Sequence, residues 1–129
     1  MKRSVLLIED NEQNRYLTTF LLEANGFEVV PAVDGMAGLK LAQSLVPELI
    51  LLDVQLPAMD GYEVARGLRC IAGLARVPII AVTSYAMVGD REKALASGCN
   101  GYIEKPIDPD TFVAEIERIR RSVVEGVAP

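Results

Sequence analysis

Five side chains that can bind a metal ion or an anion follow the apolar runs of this sequence. The carboxylates of Glu9 and Asp10 follow the first run, and the carboxylate of Asp53 follows the third. The hydroxyl of Thr83 ends the fourth run, and the ammonium of Lys105 follows the fifth. Because ligands of parallel sheets bind beyond the carboxyl ends of the strands, we expect these groups to converge on one rim.

Each of these residues also has an ordinary structural explanation. The pair Glu9 and Asp10 could cap the helix that follows, and Asp53 could open a turn. Thr83 suits a strand, and Lys105 could be a solvated strand end. Carboxylates clustered at one edge of a sheet, however, repel one another and raise one another's pKa. We therefore expect a cation to bind among them. Carboxylate oxygens together with water are the ligands that suit Mg²⁺.

This set of groups fits phosphoryl transfer to a carboxylate. Carboxylates act as nucleophiles towards phosphate, while a metal ion, a lysine and a hydroxyl can stabilise the phosphoryl oxygens. Lys105 is followed at once by Pro106, which cannot donate to a sheet and restricts the residue before it to extended geometry. We interpret this pair as a strand end that aims the ammonium at a phosphoryl group or at its carboxylate.

The elements that must position these groups are five short apolar runs with helical stretches between them. Most of the runs are continuous rather than alternating, which is typical of strands buried on both faces of a parallel sheet. Pro31 lies inside the second run and predicts that this strand is at an edge. The predicted strands span 5–8, 28–32, 49–52, 78–83 and 101–103.

The helical stretches alternate with the strands. In the first helix, Leu17, Phe20, Leu21 and Ala24 share one stripe at helical spacing, which predicts that this stripe faces the core. The last helix is predicted to start at Asp108 as its N-cap. The first four helices are predicted at 12–25, 35–46, 62–70 and 90–97. Alternation of this kind predicts an open α/β sandwich with right-handed crossovers.

The composition narrows the classes of function. The chain has 129 residues, and we expect a single domain over 1–129 with its core at about 4–121 and a short C-terminal tail. The net charge of −5 without a basic block argues against nucleic-acid binding. No stretch approaches the ~20 apolar residues of a membrane span, and the first apolar run is too short for a signal peptide. We therefore expect a cytoplasmic protein with no membrane partner.

The sequence contains no histidine. This absence excludes Ser-His and Cys-His catalysis by the chain alone, and any metal site with a histidine ligand. Histidine chemistry would have to come from a partner. Cys70 and Cys99 lack the spacing of metal ligands, and we expect two reduced thiols.

Four motifs together resemble the landmark set of the response-regulator receiver domain, the CheY-like phosphoacceptor half of two-component signalling. They read LLIEDN, LILLDVQLPAMDG, AVTSYAM and GYIEKPI. The resemblance extends from about Ser4 to Arg121, and SYAMVGDREKALASGC is also similar to DivK-type single-domain regulators and to hybrid-kinase receivers. It implies a flavodoxin-like three-layer sandwich, with a five-stranded parallel sheet of order 2-1-3-4-5 and five helices.

The resemblance implies that Asp53 is the phosphorylated aspartate. Mg²⁺ would bind to Asp10, to Asp53 and to the backbone carbonyl of Gln55, and Glu9 would act through water. The phosphoryl group would come from a sensor histidine kinase or a histidine phosphotransfer protein. The output would be a protein-binding surface that changes on phosphorylation and is recognised by a downstream partner.

The resemblance also implies roles for the fourth and fifth strands. Thr83 and Lys105 would contact the phosphoryl group, and Thr83 would form a switch pair with Tyr102. The bond between Lys105 and Pro106 would be cis. Departures from the family pattern are small: Ser84 replaces a common alanine. Gln55 and Tyr85 occupy variable positions that tune dephosphorylation.

Three other functions compete with this one. A Mg²⁺-dependent phosphatase with an aspartyl nucleophile would need an acid two residues beyond Asp53, where this chain has Gln55. A nucleotide or flavin binder would need a glycine-rich loop after the first strand, where this chain reads EDNEQN. The intact set of acids, threonine and lysine argues against an adaptor that is never phosphorylated. We therefore expect no enzyme beyond assistance to its own phosphorylation and slow dephosphorylation.

Overall fold

The computed structural model of this chain describes residues 3–56, 59–84 and 88–124. Strands and helices alternate along it. The strands are β1 (Arg3–Ile8), β2 (Phe27–Ala32), β3 (Leu49–Asp53), β4 (Ile79–Thr83) and β5 (Gly101–Glu104). The helices are α1 (Glu12–Ala24), α2 (Gly35–Ala42), α3 (Gly61–Arg69), α4 (Asp90–Ala96) and α5 (Phe112–Val124).

The five strands form one parallel sheet in the order β2-β1-β3-β4-β5. This order confirms the flavodoxin-like topology that the family resemblance implied. The strand β2, which contains Pro31, lies at an edge as predicted. The proline therefore removes a donor only on the side of the sheet where no further strand pairs.

Both faces of the central strands are covered. Leu6 and Ile8 of β1 belong to a core cluster that includes buried residues of α2, α3 and α4. Val5 and Leu7, which alternate with them, belong to a second cluster that includes buried residues of α1 and α5. Because successive strand residues point to opposite faces, burial on both faces requires a continuous apolar run. The result is a three-layer sandwich.

The inward face of α1 differs from the predicted stripe. Leu17 and Phe20 are 36% and 60% exposed and Ala24 is exposed, whereas Thr18 and Leu22 are buried. Helical spacing allows two adjacent stripes on this helix, and a count of apolar residues favours the one that contains Phe20. Leu21 of the predicted stripe packs against the core, but the stripe that packs also includes the polar Thr18, so the prediction from apolar periodicity was right for Leu21 and wrong for the other three residues.

The bounds of two helices also differ from the prediction. The helix α2 ends at Ala42, several residues before the predicted end at 46. The helix α5 begins at Phe112, after a turn over residues 109–111. The Asp108 carboxylate accepts a hydrogen bond from the Asp110 N–H at 2.9 Å, so Asp108 caps this turn. Within the described part of the chain, no helix is long and apolar enough to cross a membrane.

A close contact between backbones places the start of α3 beside the end of β3. A side-chain carbon at Gly61 would overlap the backbone of Val54. Only glycine permits this approach, because any other residue would push α3 away from the loop that follows Asp53. The Asp60 carboxylate accepts a hydrogen bond from the Tyr62 N–H at 2.9 Å and caps the helix.

Candidate functional site

Three carboxylates meet at the carboxyl ends of β1 and β3. The two strands are neighbours in the sheet, and Ile8 pairs with Leu52, so the residues that follow them emerge side by side. One carboxylate oxygen each from Glu9, Asp10 and Asp53 lies within 4.8 Å of the others. Parallel strand ends bring together residues that are far apart in sequence, as the pattern of strand ends predicted.

The Asp53 carboxylate is fixed by two donors. Its Oδ1 accepts a hydrogen bond from the backbone N–H of Gln55 at 2.8 Å. Its Oδ2 lies 3.3 Å from the Nζ of Lys105. The Asp53 side chain is only 6% exposed, so both contacts act in a partly water-excluded setting where charge interactions are stronger than in bulk water.

The Glu9 carboxylate is the more tightly paired of the two buried acids. Its Oε1 lies 2.6 Å from the Nζ of Lys105, and its Oε2 accepts a hydrogen bond from the Asn11 N–H at 3.2 Å. Burial raises the pKa of Glu9 to about 7, and the neighbouring Asp53 adds to this shift while Lys105 opposes it. The environment of Glu9 therefore favours its protonated form more than water does.

The turn after β1 is fixed by an arginine that the sequence analysis did not identify. The Nη1 of Arg15 donates to the carbonyl of Glu9 at 3.0 Å and lies 3.4 Å from the carbonyl of Asp10. Arg15 lies one turn beyond the N-cap Asn11, whose side chain accepts from the Asn14 N–H at 2.9 Å. The spacing from the cap was the available signal, because a residue four positions on faces back towards the cap.

The Lys105 side chain extends over this acidic cluster. Its backbone N–H donates to the carbonyl of Thr83 at 2.6 Å, which ties the start of the β5–α5 loop to the end of β4. The bond between Lys105 and Pro106 is cis, as the family resemblance implied. The side chain is 9% exposed, so Lys105 is not a solvated strand end. Its Nζ reaches Glu9 and Asp53 together.

Thr83 and Ser84 lie at the end of β4, beside β3. Thr83 is 1% exposed, and the backbone N–H of Ser84 donates to the side-chain Oε1 of Gln55 at 2.8 Å. This contact between the loops that follow β3 and β4 was not predicted, because the side-chain conformation of Gln55 cannot be inferred from residue type. Tyr85, at a position the sequence analysis also singled out, lies outside the described residues.

Tyr102 lies on β5, next to β4. It pairs with Ala81 in register and packs against the core cluster on the side of α3 and α4. Its hydroxyl is buried, and no residue of the described chain gives it a hydrogen bond of normal geometry. Burial raises the pKa of Tyr102, the charges of Asp90 and Glu104 add to this, and Thr83 opposes it.

The cluster fits a divalent cation by the chemistry of its donors. Three carboxylate oxygens within 4.8 Å of one another form an all-oxygen set. Asp10 is exposed, so water can complete the coordination on that side. An open cleft of about 330 Å³ lies beside the site at Lys105 and is lined by Asn14, Ser84, Lys105 and Pro106. The Gln55 N–H contacts Asp53, which places residue 55 beside the cluster.

The residues expected at the strand ends lie close together. Glu9, Asp10, Asp53 and Lys105 form one contact group, and Thr83 lies beside it on β4. Tyr102 does not belong to this group and lies on the far side of β4 from Asp53. The roles of these residues stay predictions.

The chain matches known proteins over most of its length. The family model described as response regulator receiver domain matches residues 5–117. A polar-differentiation response regulator DivK of Brucella ovis is 43% identical over 117 residues, which cover 91% of this chain and 95% of the relative.

Solved structures agree with these sequence matches. The receiver domain of a sensor histidine kinase from Pseudomonas aeruginosa, with a magnesium ion coordinated in its active-site cleft, is 35% identical; the match covers 97% and 99% of the two chains at a TM-score of 0.83. A CheY-like receiver domain protein from Methanospirillum hungatei is 25% identical, with 98% and 99% covered and a TM-score of 0.89. This chain belongs to the response regulator receiver domain family of two-component signalling.

Proposed function

We propose that this chain accepts a phosphoryl group from a partner phosphohistidine onto Asp53 with the help of Mg²⁺, and signals through a protein-binding surface that changes on phosphorylation. One observation carries the proposal. The Asp53 carboxylate is buried at a strand end, held by the Gln55 N–H and the Lys105 ammonium, and clustered with two further carboxylates. A carboxylate held in this way is a nucleophile in a fixed position.

The transfer makes one bond and breaks one. A carboxylate oxygen of Asp53 attacks the phosphorus atom, and the bond between phosphorus and the partner's imidazole nitrogen breaks. That nitrogen keeps the electron pair and takes a proton, and Asp53 becomes an acyl phosphate. The donor histidine must belong to a kinase or phosphotransfer partner, because this chain has no histidine.

Asp10, Asp53 and the Gln55 carbonyl would hold Mg²⁺, and Glu9 would act through water. When bound, the ion would neutralise charge on the phosphoryl oxygens. The magnesium ion in the cleft of the Pseudomonas aeruginosa receiver supports this assignment. The acidic cluster of the present chain offers the same class of ligand, and its buried Glu9 has a raised pKa that a nearby cation would lower.

Lys105 would move from balancing two carboxylates to contacting the phosphoryl group. Its Nζ already lies between Glu9 and Asp53, so little rearrangement is needed. The Thr83 hydroxyl, at the end of the neighbouring strand, would contact another phosphoryl oxygen. A shift of Thr83 would change the packing around Tyr102, because the two residues lie on the neighbouring strands β4 and β5.

The surface formed by α4, β5 and α5 would carry the downstream partner. It surrounds Tyr102, and Leu95 on α4 is an exposed apolar residue, 46% accessible to solvent. The net charge of −5 favours a protein partner over nucleic acid. We also propose that the chain is not an enzyme with an external substrate. The side chain two residues beyond Asp53 is Gln55, which cannot act as a general acid, and its amide oxygen already accepts from Ser84.

A phosphorylation assay with a small phosphodonor tests the proposal. We expect acetyl phosphate or phosphoramidate to label the parent in Mg²⁺ and not in EDTA. Asp53→Asn keeps the shape of the side chain but loses the nucleophile, and it should not be labelled. Equal labelling of Asp53→Asn and parent would contradict the proposal.

A further inference from the structure

Gln55 makes two contacts that join the acceptor carboxylate to the loop after β4. Its backbone N–H donates to Asp53 Oδ1 at 2.8 Å, and its side-chain Oε1 accepts from the Ser84 N–H at 2.8 Å. The strands stay paired up to this point, since the Val54 N–H donates to the Val82 carbonyl at 3.1 Å. The side chain of Gln55 therefore closes the gap between the exits of β3 and β4.

The Ser84 N–H is a donor that an anion at Asp53 would compete for. Ser84 directly follows Thr83, whose hydroxyl is expected to contact the phosphoryl group. The present acceptor is a neutral amide oxygen, whereas a phosphoryl oxygen is charged, and charge-assisted hydrogen bonds are roughly twice as strong as neutral ones. A phosphoryl group on Asp53 places charged oxygens beside the same strand exits, so the amide oxygen is the weaker competitor.

We propose that the Gln55 side chain is a positioning element that holds Ser84, at the exit of β4, in its unphosphorylated position by occupying the Ser84 N–H, and that the phosphoryl group displaces it. This inference rests on the proposed function, and it assigns to Gln55 a role in the equilibrium between the two states. The contact exists only in the unphosphorylated state. It therefore stabilises that state and opposes the binding of any phosphoryl analogue.

The free-energy difference is that of one neutral hydrogen bond. Its removal should tighten the binding of a phosphoryl analogue by about two- to tenfold. The variant Gln55→Met keeps the length of the side chain and the backbone groups of residue 55 but has no oxygen acceptor. The matched control is Gln43→Met, which makes the same chemical change at an exposed residue after α2, away from the site.

The experiment is a titration with beryllofluoride in Mg²⁺, followed by amide proton and nitrogen shifts. In the analogue-free protein, Gln55→Met should move the Ser84 amide proton upfield, because the hydrogen bond is lost. The analogue-bound spectra of Gln55→Met and parent should agree at Ser84, because the acceptor is then the same anion. Gln55→Glu restores an oxygen acceptor and should return the free Ser84 proton downfield. Gln43→Met should match the parent throughout.

Two results would overturn the inference by different routes. If Asp53→Asn loses the analogue but Gln55→Met binds it with the parent's affinity and an unchanged Ser84 amide, Gln55 does not hold Ser84, while the proposed function stands. If Asp53→Asn binds the analogue as tightly as the parent, the proposed function fails and the inference fails with it.

Discussion

The Nζ of Lys105 lies 2.6 Å from the Oε1 of Glu9, closer than its 3.3 Å distance to Asp53. Glu9 therefore holds the ammonium at the rim without taking it away from Asp53. Removing one partner of a buried ion pair strongly destabilises the folded protein, because the remaining charge is left without compensation. The first prediction follows from this arrangement.

We expect Lys105→Met to lower the free energy of unfolding of the metal-free protein by about 3 kcal/mol, because the buried carboxylates lose their cation. Excess Mg²⁺ should restore part of this loss, since a metal ion would pair with the same oxygens. Urea melts in EDTA and in Mg²⁺ measure both effects. The control Lys40→Met removes an exposed lysine of α2 and should change stability little. A Lys105→Met variant as stable as the parent in EDTA would show that the ion pair contributes nothing.

The second prediction concerns the metal. Mg²⁺ at a hundredfold excess over its Kd should stabilise the parent by about 2.7 kcal/mol, because it binds the folded state alone. Asp10→Asn should respond much less, because one metal ligand is lost. In EDTA the same variant should be about 1 kcal/mol more stable than the parent, because one of three clustered, mutually repelling carboxylates is removed. Such a cost in stability is expected for an acid that is retained for function. If Asp10→Asn is instead the less stable protein in EDTA, Asp10 serves the turn rather than a metal.

The third prediction concerns pH. The pKa of Glu9 is raised from 4.5 to about 7 by burial and by Asp53, so between these values the folded protein keeps a proton that the unfolded chain releases. The contribution of Glu9 to stability therefore falls as pH rises through this window, by about 1–3 kcal/mol, and is constant above it. Parent and Glu9→Gln should be compared by urea melts in EDTA from pH 4.5 to 8. The parent should lose stability relative to the variant as pH rises, and a constant difference would contradict the raised pKa.

The fourth prediction concerns coupling from the site to α4 and β5. Thr83→Ala should still accept a phosphoryl group on Asp53 but should couple phosphorylation poorly to α4 and β5, because the hydroxyl that we propose contacts the phosphoryl group is absent. Amide shifts of α4, β5 and α5 on adding beryllofluoride provide the measurement. We expect shifts there in the parent and in Thr83→Ser, and shifts confined to the site in Thr83→Ala. Equal shifts at Tyr102 in Thr83→Ala and parent would refute this coupling.

The fold could be predicted because burial on both faces leaves a clear pattern. The apolar runs around Leu6 and Leu51 are continuous because alternate residues of each run belong to the two core clusters on opposite faces of the sheet. Pro31 marks the edge strand. The apolar pattern alone does not determine the order of the strands, which the family resemblance supplied. The stripe of α1 was predicted only in part, because the inward face combines Leu21 with the polar Thr18, which periodicity counts as outward.

The membership of the site could be predicted, and its internal contacts could not. Strand ends place Glu9, Asp53 and Lys105 on one rim whatever their side-chain conformations. Which carboxylate lies nearer to the ammonium depends on rotamers and distances that residue types do not encode. The same holds for the contact between Gln55 and Ser84, which crosses two loops.

The most direct test identifies the residue that carries the phosphoryl group. After labelling in Mg²⁺ with a small phosphodonor, borohydride reduction converts an acyl phosphate of aspartate to homoserine, and peptide mass spectrometry locates it. We predict homoserine at position 53 in the parent, and none when EDTA replaces Mg²⁺ during labelling. A reduced residue at Glu9 or Asp10, or labelled protein with Asp53 intact, would contradict it.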